Sequence, residues 1–103
     1  MDKVFVVKFD WSTPDAEDVE LFIYKHYGDA YDKFKEIILG ERNPEMSWVG
    51  DIEFDDDEYP IDDHYDFEFE DNNSGESKVY WHIVDKDNYY QHSFIDLLVM
   101  EVM

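Results

Sequence analysis

The chain has 103 residues, and its 28 acidic side chains against eight basic ones leave a formal charge of −20, nearly one uncompensated negative charge per five residues. Its single arginine, Arg42, and the lack of a basic cluster exclude direct nucleic-acid binding, which needs cations to displace phosphate counterions, and an anionic membrane would repel it too. Without cysteine, disulfides and thiolate metal sites are excluded, while 18% aromatic and 44% hydrophobic residues supply the bulk for one folded domain over residues 1–103.

Met1-Asp2-Lys3 ahead of Val4-Phe5-Val6-Val7 is too short and too soon charged for a secretory signal, and no run has the length to span a bilayer. A cytosolic location is expected. Residues 3–11 predict a strand with Phe5, Val7, Phe9 and Trp11 on one face and Val4, Val6, Lys8 and Asp10 on the other. After a turn at Ser12-Thr13-Pro14-Asp15, residues 18–27 predict a second strand. Val19, Leu21 and Ile23 oppose Phe22 and Tyr24 there, so both of its faces are expected to be covered.

A helix follows. Asp29 is the expected N-cap, Ala30, Phe34, Ile37 and Ile38 form one apolar stripe, and Gly40 is placed to end it. Four of the eight basic residues lie between Lys25 and Arg42, which makes this the least negative part of the molecule.

From Asn43 to Ser77 there is no Lys or Arg, yet the stretch holds 14 of the 28 acids. Trp48, Ile52 and Phe54 alternate with Asp51 and Glu53, predicting a short strand. Asp55-Asp56-Asp57-Glu58 and Asp62-Asp63 flank Tyr59-Pro60-Ile61 in an acidic loop. Tyr65, Phe67 and Phe69 then alternate with Asp66, Glu68 and Glu70, a strand with one apolar and one wholly acidic face. Asn72-Asn73-Ser74-Gly75 is a turn.

The C-terminal segment reads as a hairpin. A three-residue loop, Lys86 to Asn88, pairs Val79 with Ile95, Tyr80 with Phe94, Lys78 with Asp96 and His82 with His92. Leu97-Leu98-Val99-Met100 is apolar on both faces, either a central strand or an edge that pairs with a second copy in a homodimer. The whole is an α+β domain, one helix on a mostly antiparallel sheet of about five strands.

The functional signal is the acid tract. Asp51, Glu53, Asp55, Asp56, Asp57, Glu58, Asp62, Asp63, Asp66, Glu68, Glu70 and Asp71 place 12 carboxylates in 21 residues. Acid runs are ordinarily solvated faces. Here they interleave with aromatics in a strand pattern, which holds them in place. Residues two apart on a strand project about 6.5–7 Å apart, so Asp66, Glu68 and Glu70 form a row spaced much like successive phosphates. Tyr59 and Tyr65, beside these carboxylates, suit an interface meeting Arg and Lys.

In size, charge, lack of cysteine and acidic strand rows the chain resembles the small acidic inhibitors of phages and mobile elements that mimic DNA: uracil-DNA glycosylase inhibitor, the phage proteins that block restriction enzymes, and several anti-CRISPR proteins. The resemblance implies a non-catalytic inhibitor that occupies the basic groove of a DNA- or RNA-handling protein, such as a host-defence nuclease.

Other uses of these residues are less well matched. Asp85, Asp87 and Asp96 fit positions one, three and twelve of a calcium loop, but Tyr90 stands where that loop needs Gly. The alternatives are a non-catalytic acidic interaction module that dimerises through the C-terminal strand, or a weak divalent-cation binder, with Asp55 to Glu58 as its acids. His82 and His92 would begin a zinc site that no third ligand completes. Trp11, Trp48 and Trp81 are expected in the core. No phosphate-cradling loop, dinucleotide fingerprint or activated nucleophile is present. Neither enzymatic activity, cofactor nor dedicated metal site is expected.

Overall fold

The computed structural model describes residues 2–71 and 79–102. Five strands form one sheet: β1 (Asp2–Ser12), β2 (Glu17–Tyr24), β3 (Tyr65–Glu70), β4 (Val79–Asp85) and β5 (Asn88–Val102), with helix α1 (Tyr27–Glu41) on one face. The order is β2-β1-β5-β4-β3, and every neighbouring pair is antiparallel. The α+β expectation holds.

Two-residue alternation sorts the side chains into faces. Val7, Val79, Trp81, Ile83, Ile95 and Leu97 point to α1 and are 0–2% exposed. The helix answers with Ala30, Phe34, Ile37 and Ile38, the stripe expected from its spacing. It starts earlier than Asp29, however. His26 is the N-cap and makes no side-chain cap bond, which places Asp29 in the first turn, where its charge favours the helix dipole. Tyr27 is recruited into the helix because its ring packs edge-on against Phe5 and stacks on Tyr31. Gly40 lies inside the last turn, and Arg42 is the C-cap.

Trp48, Ile52 and Phe54 do not make a strand. Ser47 accepts a hydrogen bond from the Val49 amide and opens a 3₁₀ turn, Trp48–Asp51, that buries Val49 completely. Gly50 is required in that turn, because a Cβ there would overlap the backbone of Asn43 and Pro44. Gly50→Ala is therefore expected to lower the stability by about 1–3 kcal/mol through displacement of backbone. A urea midpoint equal to the parent's would refute this.

The β4–β5 hairpin keeps the expected faces but not the expected pairs. Its turn is Lys86–Asp87, with Asp85 opposite Asn88, and an irregularity follows that leaves Tyr89 to Gln91 of β5 unmatched, so Val84 meets His92. From there Trp81 meets Ile95 and Val79 meets Leu97, two residues away from the predicted partners. This bulge sets Trp81 beside a fully buried isoleucine rather than beside Ser93. The shift is even in number, so each side chain stays on its predicted face. His82 lies opposite Phe94, not His92. Asp96 lies opposite Tyr80 and not Lys78; Lys78 itself and the turn at Asn72 to Gly75 lie outside the described residues.

β5 is the middle strand, flanked by β1 and β4. Its Leu97-Leu98-Val99-Met100 run pairs with residues 4–7 of β1, so that backbone edge is taken within the chain rather than offered to a second copy. β2, expected to be covered on both faces, is instead an edge strand. Phe22 and Tyr24 pack towards the core, while Val19, Leu21 and Ile23 are 52–67% exposed.

Candidate acidic partner-binding edge

β3 is the other edge strand. Its burial alternates strictly, with Tyr65, Phe67 and Phe69 half-buried and Asp66, Glu68 and Glu70 exposed. The apolar members lock the strand down: the Phe67 ring meets Trp81 at 5.6 Å and Phe54 at 5.9 Å. The acidic members therefore stand as a row on a strand that cannot rotate. Lys86 approaches Asp66 at 3.7 Å; among the described residues no basic side chain comes within 4 Å of Glu68 or Glu70.

The acidic loop is folded onto the same edge. Phe54 and Pro60 form an isolated bridge, the Asp55 amide donates to the Tyr59 carbonyl at 2.8 Å, and the Ile61 amide donates to Glu53 at 3.0 Å. Asp55 Oδ1 accepts from the amides of Asp57 and Tyr59, and Asp62 Oδ1 accepts from the His64 amide. Glu58 closes the turn at φ 65°, a conformation that a non-glycine residue adopts only when its surroundings impose it. The Tyr59 ring sits edge-on to Phe67 at 5.1 Å, and Arg42 lies 4.2 Å from the centre of the Phe54 ring and 4.0 Å from Glu58. Asp55, Asp56, Asp57, Glu58, Asp62 and Asp63 are thereby presented from an ordered loop, with Asp51 and Glu53 exposed at its start.

Two of the expected residues are drawn elsewhere. Tyr65 turns to the helix side, half-buried against Trp48 at 5.9 Å and His64 at 5.1 Å, and burial followed by the charges of Asp85 and Asp62 raises its hydroxyl pKa. Asp71 is occupied within the chain, accepting from the Tyr31 hydroxyl at 2.9 Å with Lys35 at 3.5 Å. Burial first, then Asp71, pushes the Tyr31 hydroxyl from 10.0 up to about 12. Asp71→Asn should lower that value part of the way, as followed by NMR of the ring protons. An unmoved titration would assign the whole shift to burial.

The open face of the sheet, away from α1, changes character from β3 to β2. Beside the acid row lie Tyr80, His82, Phe94 and His92, whose rings follow one another at 5.1, 4.8 and 4.4 Å between centres. His82 pairs with Asp96 at 3.0 Å and His92 with Asp10 at 3.1 Å, so each histidine has its own carboxylate. At the β2 end Ile23 continues into Val6 and Leu98, its register neighbours across β1 and β5, whereas Leu21 and Val19 stand opposite Lys8 and Asp10.

Asp85 and Asp87 come together at the hairpin tip, whereas Asp96 lies on the open face opposite Tyr80, so the calcium-loop spacing is not realised. His64 joins the first two instead, with one ring nitrogen 2.8 Å from Asp85 and the other 3.4 Å from Asp87. These three could each offer one ligand atom, all within 4.8 Å of one another. As they stand, both imidazole nitrogens already face carboxylates, and the Lys86 amide donates to the His64 carbonyl at 3.1 Å. The cluster ties the hairpin tip to the start of β3. Sequence spacing gave no sign of His64 because it lies 21 residues before Asp85.

Among the described residues no helix is long and apolar enough to cross a membrane. No family model, curated protein or solved structure matches the chain.

Proposed function

We propose that the protein is a non-catalytic acidic ligand for the basic groove of a DNA- or RNA-handling protein, competing there with nucleic acid. The observation that carries this reading is the Asp66–Glu68–Glu70 row on a locked edge strand, with the acidic loop pinned along the same edge. A basic groove reads a regular series of negative charges on a firm support, and this edge offers both. Basic side chains near it are few: Lys86, Arg42 and Lys35 approach single members, and the other cations described lie on β1, α1 and the segment joining β2 to α1. The charge asymmetry favours one docking face and fast, salt-sensitive association.

The test uses basic proteins eluted from DNA-cellulose. The chain, immobilised, is expected to retain a subset of them at low salt, and added duplex DNA should displace that subset. Retention of none, or retention that DNA leaves unchanged, would overturn the proposal.

A further inference from the structure

On the helix side, one end of β2 leaves the sheet uncovered. Phe22 and Tyr24 pack towards α1, but the next inward positions are Glu20 and Asp18, opposite Phe9 and Trp11 of β1. That end of the sheet, the C-terminal half of α1 and the Met46–Trp48 segment enclose a cleft of about 630 Å³. Small-molecule sites typically span roughly 300–1,000 Å³. Its apolar wall is formed by Phe9, Trp11, Phe22, Ile37 and Trp48; Trp48 packs against the core as well, whereas Trp11 lines the cleft without joining that cluster.

The polar feature of the cleft is Glu41, the last residue of α1. Its carboxylate accepts from the hydroxyl of Ser93, which is 0% exposed, and from that of Ser47. Burial raises the Glu41 carboxyl pKa above its ordinary value, and the two hydroxyls offset only part of that. A carboxylate has about four acceptor positions, and these hydroxyls take two. Glu20 and Glu36 also line the cleft, against the ammonium of Lys33. Lys33 illustrates how a cation is held here: its Nζ lies 4.5 Å from the centre of the Phe22 ring and 3.3 Å from Glu36. Aromatic faces, an excess of carboxylate and a desolvated acceptor together favour an organic cation over an anion or a neutral polar ligand.

We propose that this cleft binds an organic cation on a flat apolar body, an arylalkyl amine, with its ammonium on Glu41 and its ring among Phe9, Trp11 and Trp48. The inference is independent of the acidic edge, with which the cleft shares no residue.

The probes are tryptamine, its neutral isostere tryptophol, and a capped pentapeptide with a central lysine. Binding is read by calorimetry and by the indole N–H signals of Trp11 and Trp48. Tryptamine is expected to shift both signals and to bind at least tenfold more tightly than tryptophol. Glu41→Gln should weaken tryptamine at least tenfold and leave tryptophol unchanged, whereas Asp29→Asn, at the opposite end of α1 and outside the cleft, should change neither. Gly40→Leu, which replaces a helical glycine by a better helix former and projects a side chain towards Met46, should keep the fold and block the probes. It also serves as the test should Glu41→Gln fail to fold. Tighter binding of tryptamine than of the peptide supports the arylalkyl amine, and tighter binding of the peptide, whose lysine carries no ring, would overturn it. Equal binding of tryptamine and tryptophol, equal losses in Glu41→Gln and Asp29→Asn, or unmoved indole signals would overturn it.

Discussion

The triple variant Asp66→Lys, Glu68→Lys, Glu70→Lys is expected to bind a basic, DNA-displaceable partner about a thousandfold more weakly than the parent at low salt, with its fold intact. Each reversal changes the charge by two units, six in all. A half-solvated contact to a cation several ångströms away is worth roughly 0.7 kcal/mol per unit, so the sum is about 4 kcal/mol, or some three decades. Raising the salt towards 1 M, where the Debye length falls to about 3 Å, should erase most of the difference. The fold should survive because these three side chains point to solvent from a strand whose other face makes the packing contacts. Removing a like-charged row also relieves self-repulsion, so the melting temperature should hold or rise. Unaltered affinity in a cooperatively melting variant would remove β3 from the binding surface.

Trp81→Ala should have the largest effect on stability. The side chain is 2% exposed and meets both Phe54 and Phe67, at 6.5 and 5.6 Å between ring centres. It therefore joins the central sheet to β3 and to the acidic loop at once. Truncation of a buried tryptophan costs about 3–5 kcal/mol, against about 5–15 kcal/mol for a typical whole domain. At about 4–8 °C per kcal/mol for a domain near this size, the calorimetric midpoint should fall by at least about 12 °C, and partner binding should weaken with it. A loss below about 1 kcal/mol would mean that Trp81 does not hold the edge in place.

The particular elements explain how far the sequence could be read. Strict alternation at residues 65–70 is a local signal, and it located β3 and its acidic face because one exposed and one buried side satisfy the same two-residue period. The stripe Ala30, Phe34, Ile37 and Ile38 found the buried face of α1 for the corresponding reason. Its ends were missed because no side-chain cap marks His26 and because Tyr27 joins the helix to pack on Phe5, a residue 22 positions away. The Trp48–Phe54 segment alternates like a strand, yet its backbone finds partners within a 3₁₀ turn and a loop, and pattern alone does not distinguish those outcomes.

What the residues decided by themselves was therefore the charge, the faces and the presence of a covered core, all consequences of composition and of periods within a single element. Tertiary structure alone decided the neighbours. β5 became central because β1, some 90 positions earlier, pairs along it, which left β2 with an exposed apolar stripe and β3 with an open acidic edge. The same long-range closure set Ser93 against Glu41 across 52 positions and opened the aromatic cleft above them. Such contacts depend on which apolar faces bury one another most completely, a property of the assembled chain that no short stretch of it contains.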